Sequence, residues 1–208
     1  LIAGAAQRLG VAERALRAVL LVECGTDDPD RFVAPDGSAI LRVEAHHVLR
    51  RPELAKIDPI LRVGSWYGPP AREPPRPWEG HEVLFDGRWS DYHRQDRVNG
   101  LPCEWDALDA ATTLVGAEAA AACASWGPGQ VLGAHATALG YASAQTLASA
   151  AGTPEGGLEV VCAFLRSRPT LVAALQRLDW FAFAREYNGP GKAADYADKL
   201  RAAWNRRA

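Results

Sequence analysis

The chain contains no methionine. A complete gene product begins with one, so the sequence is expected to be a trimmed domain or to lack its first residues, and any targeting segment with them. It also lacks an apolar run of bilayer-spanning length and shows no signal-peptide pattern at its start. Membrane insertion is therefore not expected. No charge of one sign dominates: 23 basic against 25 acidic residues give 23 − 25 = −2, without the basic excess that nucleic-acid capture requires. Cysteine is sparse. Cys24, Cys103, Cys123 and Cys162 have no CxxC or mixed His/Cys spacing, which argues against a zinc site. Four cysteines in a chain of this length do not make a disulfide scaffold. Neither a metal nor an organic cofactor is expected.

What is present reads mainly as helix. Residues 1–9 and 12–23 form an apolar pair split at Gly10. Residues 104–124 read as one long alanine-rich helix with Trp105, Leu108, Thr112, Val115, Ala119 and Ala122 on one face. Ser143 opens a short helix, and Thr153-Pro154-Glu155 supplies an N-cap, a first-turn proline and an acid for another. Asp179 caps a helix through Tyr187, and a last helix covers about 192–205. The middle differs. Asp36-Gly37 is a turn ahead of Ile40, Arg42 and Glu44, and Asp86-Gly87 between apolar triplets is a hairpin signal. Residues 68–77 hold five prolines and must run as an extended loop. The expectation is a mainly α (α+β) protein, residues 1–208 as a single domain. A small β-hairpin and loop lobe at about 30–100 is inserted between the helical parts and flanks a groove.

One residue carries the chemistry. Glu23 falls three residues after Leu20 and four after Val19, on the apolar face of its helix, just before Cys24-Gly25. Burial against apolar surface disfavours the charged carboxylate and raises its pKa, the state a general acid needs near neutral pH. A helix-end Glu that pairs with an arginine or reaches solvent is the plainer alternative. Cys24 beside it lacks a nearby histidine with an orienting partner, so it is not read as a nucleophile.

Two further segments fall in order behind Glu23: the glycine-punctuated bend Ser125 to Gly133, and Phe183 to Gly191 at a helix end. Together the three resemble the goose-type and lytic-transglycosylase branch of the lysozyme superfamily. The closer resemblance is to the bacterial and phage N-acetylmuramidase domain of modular endolysins. That family's Val-Glu-Ser-Gly, Phe-Glu-x-His, Ser-x-Gly-x-x-Gln-Ile-Met-Gly and Tyr-Asn-Gly-Pro segments are similar to Val22 to Gly25, Val43 to His46, Ser125 to Gly133 and Tyr187 to Pro190. The similarity spans about residues 8 to 204. Departures are Cys24 for Ser, Val43 for Phe, and Pro128-Gly129 and Val131-Leu132 for bulkier or methionine-bearing pairs.

The resemblance implies a lysozyme-like fold and a peptidoglycan hydrolase that cuts the β-1,4 bond from N-acetylmuramic acid to N-acetylglucosamine, with Glu23 donating the proton. Glu44 is the leading second carboxylate, with Asp27, Asp28 and Asp36 as competitors and a bracing pair with His46 or Arg42 as its alternative role. Gln130 and Asn188 offer amide groups to the sugars, and His46 and Trp126 are counted with them. Tyr187 is expected to pack its ring in the groove wall and turn its hydroxyl toward Glu23, or else to be a core aromatic followed by Asn188 as a helix C-cap. Trp66, Tyr67, Trp78 and Trp89 offer sugar-stacking faces or else fill the core of the small lobe, with at least one groove contact expected from the set. The expected partners are peptidoglycan strands, with an upstream wall-binding domain or a cognate immunity protein as further candidates, and the chain is expected to be a monomer acting in the periplasm or cell wall. Rival functions are a lytic transglycosylase and a non-catalytic peptidoglycan-binding module.

Overall fold

A computed structural model describes residues 1–48, 50–53, 95 and 103–206. The chain starts with helix α1 (Ile2–Leu9), whose Ile2, Ala5, Ala6 and Leu9 face the core at helical spacing. Gly10 ends it at φ 66°, returning its N–H to the Ala6 and Gln7 carbonyls. Helix α2 (Glu13–Cys24) follows, with Leu16, Val19 and Leu20 fully buried and Gly25 as its left-handed stop. A turn held by Asp36, which accepts from the Ser38 N–H and hydroxyl, leads into strand β1 (Leu41–Val43) and the one-turn helix α3 (Ala45–Val48).

After the central segment come α4 (Glu104–Val115) and α5 (Ala117–Ala122). The single long helix expected over 104–124 is thus two helices and part of a strand. Gly116 breaks it, with φ 83° and ψ 156° outside the helical region, and Ala124 leaves it because its backbone pairs with β1. The core face of α4 is Ala107, Ala111 and Val115, while Trp105, Leu108 and Thr112 are half-buried beside it.

Strand β2 (Ala124–Trp126) and strand β3 (Val131–Leu132) complete a three-stranded antiparallel sheet in the order β1-β2-β3. Leu41, Arg42 and Val43 lie opposite Trp126, Ser125 and Ala124, and Ser125 and Trp126 lie opposite Leu132 and Val131. These two strands fall on a stretch that reads as a helix end and bend, because a two- or three-residue strand is too short to show alternation. The free edge of β1 is closed by side chains. Gln95 accepts from the Leu41 N–H at 2.9 Å and donates to the Leu41 carbonyl at 2.8 Å, and the buried Glu104 accepts from the Val43 N–H at 2.8 Å. An edge satisfied in this way offers no template for further pairing.

The rest is helical: α6 (Ala144–Ala150) capped by Ser143, α7 (Pro154–Arg166) capped by Thr153, α8 (Pro169–Gln176), α9 (Trp180–Tyr187) capped by Asp179, and α10 (Ala193–Asn205). Three of these caps follow from side-chain chemistry, each accepting from the N–H three residues on. Helix α8 was not foreseen, although Pro169 at its first position is its signal. The first and last thirds share one core: α1 packs on α7, and α2 packs on α10. The architecture is mainly helical with a small sheet, as the sequence leads one to expect. The Asp86-Gly87 hairpin, the 68–77 loop and Trp66, Tyr67, Trp78 and Trp89 lie outside the described residues.

Candidate active site

A cleft of about 660 Å³ opens between the C-terminal end of α2, the sheet, α7, the end of α9 and the start of α10. Glu23 lies in its wall. The residue is half-buried, and burial of its carboxyl pushes the pKa up to about 7, against a smaller opposing pull from a Tyr196 hydrogen bond. No basic side chain among the described residues pairs with it. A carboxyl poised there is about half protonated at neutral pH, as a proton donor requires.

The hydroxyl that meets Glu23 belongs to Tyr196 on α10, not to Tyr187. The Tyr187 hydroxyl donates instead to the Gly129 carbonyl at 2.7 Å. Its ring does stand in the cleft wall, sandwiched between Phe183 (centroids 5.1 Å apart, 19° between planes) and Tyr196 (6.1 Å, 13°). Phe164 meets it edge-on at 5.4 Å. Burial and the nearby Glu23 raise the pKa of both tyrosines well above the usual phenol range, so both remain donors at any working pH.

The bend of the sequence is the loop of the β2–β3 hairpin. Gly127 at φ 68° and Gln130 at φ 48° turn the chain, and the Gln130 side-chain amide donates to the Gly127 carbonyl at 3.0 Å. A non-glycine residue held left-handed is strained, and here that conformation brings Gln130 to the cleft. Asn188 also lines the cleft and is the α9 C-cap, so capping does not take it out of the site. It caps in the right-handed region, at φ −108°, and the positive φ of 84° falls on Gly189.

Glu44 follows β1 and lines the same cleft. Its carboxylate lies 3.8 Å from Arg42 Nε and 3.6 Å from His46 Nδ1. His46 stands behind Glu44 and is not part of the cleft lining. The competing acids are engaged elsewhere: Asp27 with Arg17 at 3.0 Å, Asp28 capping the turn at Asp30, and Asp36 with Ser38. Trp126 is a correction. It is 2 % exposed, its indole donates to the Ala121 carbonyl, and it lines a separate hollow of about 340 Å³ with Trp105. Alternation along β2 explains this: Ser125 faces the cleft, so Trp126 faces away.

Cys24 donates to the Leu20 and Thr26 carbonyls, and burial raises its thiol pKa to about 11, leaving it protonated and inert. All four cysteines are free thiols. Among the described residues no three His, Cys, Asp or Glu side chains gather where a metal could sit. Sequence reasoning missed His135, Lys192, Asp195, Tyr196 and Lys199, all in the cleft lining. Tyr196 lies on the buried face of the last helix, where a tyrosine reads as packing. The signal that could have found its role is that a buried tyrosine needs a partner for its hydroxyl.

The sequence profile of the N-acetylmuramidase family matches residues 12–208. A solved structure, the crystal structure of Burkholderia AP3 phage endolysin, aligns with a TM-score of 0.69 at 27 % identity, covering 99 % of this chain and 69 % of that one. No curated protein sequence matches.

Proposed function

This chain belongs to the N-acetylmuramidase family of endolysin-type peptidoglycan hydrolases, and we propose that Glu23 is its general acid in cutting the β-1,4 bond between N-acetylmuramic acid and N-acetylglucosamine. Enzymes of this kind act on the cell wall, and no helix among the described residues is long and apolar enough to cross a membrane. The observation that carries the reading is the Glu23 carboxyl. It lies in an open cleft, burial holds its pKa at about 7, and it has no cationic partner among the described residues.

The glycan lies along the cleft with the scissile oxygen at Glu23. The Glu23 carboxyl gives its proton to that oxygen as the C1–O bond breaks, and positive charge spreads over the muramic ring. Water adds its oxygen to C1 and passes its proton to Glu44, and exchange with solvent restores both carboxyl groups. Tyr196 holds the Glu23 carboxyl in one orientation throughout. Gln130 and Asn188 bind the N-acetyl and hydroxyl groups that fix the ring at that point, and Tyr187 supplies apolar wall.

Glu23→Gln is the test. Turbidity clearing of purified peptidoglycan is expected to fall at least about a thousandfold, with circular dichroism unchanged. Clearing within tenfold of the wild type overturns the assignment. Mass spectrometry of the released fragments is expected to show hydrated N-acetylmuramic acid at the new reducing ends. A second reading, the lytic transglycosylase, is favoured by the engagement of Glu44 with Arg42 and His46, which leaves Glu23 as sole acid and base. That reading requires 1,6-anhydro ends and activity that survives Glu44→Gln.

A further inference from the structure

Lysine is scarce in this chain: Lys56, Lys192 and Lys199 are the three among 23 basic residues. Two of the three line the cleft that holds Glu23. Several arginines elsewhere make ion pairs, as with Arg17 to Glu13 and Asp27 or Arg166 to Glu159, and in the cleft itself Arg42 lies 3.8 Å from Glu44. Lys192 and Lys199 are exposed and make no ion pair or hydrogen bond among the described residues. Asp195 stands three positions after the first and four before the second, the spacing at which helical ion pairs form. Neither lysine takes it. Lys192 is also the N-cap residue of α10, where a positive charge opposes the helix dipole. Local stability does not explain a lysine at the N-cap, and choices against local stability concentrate at functional sites.

A compact ammonium on a flexible four-carbon stem suits a carboxylate whose position varies. On a peptidoglycan strand such carboxylates hang from the short peptide joined to the lactyl ether of muramic acid, the lactyl carboxyl itself being consumed in the amide. A strand seated on Glu23 presents that acidic arm at the rim of the cleft. We infer that Lys192 and Lys199 bind the carboxylates of this stem peptide and make the enzyme selective for peptide-bearing over bare glycan. This rests on the muramidase reading above.

The test compares kcat/KM on two substrates, peptide-bearing glycan and glycan stripped of its stem peptides, whose lactyl carboxylates are then free. The wild type is expected to prefer the first. Replacing both lysines by alanine is expected to lower the preference ratio about five- to tenfold, the scale of two exposed ion pairs, through KM rather than kcat, and the double arginine variant is expected to restore it. High salt is expected to erode the ratio. An unchanged ratio overturns the inference, and so does an equal loss on both glycans, which assigns the lysines to the lactyl group or the sugar. Cosedimentation with peptide-bearing and stripped wall material reads the same preference without turnover, and equal pelleting of the wild type with both overturns it. Failure of the muramidase reading looks different: the wild type cuts neither substrate.

Discussion

The Tyr187 hydroxyl donates to the Gly129 carbonyl 2.7 Å away, tying the end of α9 to the hairpin loop across 58 residues of sequence. The same ring stacks on Tyr196, whose hydroxyl meets Glu23. The loop that carries Gln130 and the helix end that carries Glu23 are thus coupled through two stacked phenols.

Removing that tie tests the coupling. Tyr187→Phe keeps the stacking but leaves the Gly129 carbonyl unpaired, at a cost of about 1–2 kcal/mol. For a domain of this size that is a drop in Tm of roughly 2–8 °C. Calorimetry checks it, and KM for glycan is expected to rise as Gln130 loses its fixed position. An unchanged Tm and KM would mean that the loop stands without the tie.

The pH profile tests the role proposed for Glu23. A general acid at this position must be protonated, so the rate is expected to fall as pH rises through about 7. The Tyr196 hydrogen bond lowers that pKa, so Tyr196→Phe is expected to move the alkaline limb to higher pH while lowering the maximum rate. A limb that moves down, or stays fixed, contradicts this electrostatic role.

The same burial affects stability. The folded-state pKa of Glu23 lies above its unfolded value, so between about 4.5 and 7 the folded state binds more protons than the unfolded one. Stability therefore falls as pH rises through that window. Glu23→Gln removes the ionisation and is expected to be more stable than the wild type above pH 7, by ~2 kcal/mol allowing for its partial exposure, and little different below pH 4.5. Denaturant titrations at pH 4 and 8 check the sign.

Gly133 is expected to tolerate no side chain. A Cβ there falls 2.1 Å from the Ala121 carbonyl oxygen, and backbone cannot swing away as a side-chain tip can. Gly133→Ala is expected to cost at least about 2 kcal/mol and to shift the hairpin, lowering Tm and activity together. Gly191→Ala, with open space around it, is the control.

The helices were legible in the sequence because their signals are local. Thr153-Pro154, Asp179 and Gly25 announce their roles within one turn of chain, and Glu23 could be placed on a buried face from Val19 and Leu20 alone. The sheet was legible only in part: β1 lies behind the Asp36-Gly37 turn where a strand is expected, but its partners are not signalled. Leu41 to Val43 find their partners more than eighty residues away, at Ala124 to Trp126, and nothing local distinguishes those three residues from the end of an alanine-rich helix. The same limit explains Trp126, whose burial depends on which face of a three-residue strand it takes. It explains Tyr196 as well, because a tyrosine on an apolar helix face reads as packing until its hydroxyl is followed to the other end of the chain.

The hydrogen bond from Tyr196 to Glu23 joins positions 173 residues apart. The carboxyl on α2 and the phenol on α10 meet only where those two helices are docked, so any local opening of α10 frees Glu23 from the hydrogen bond that holds it.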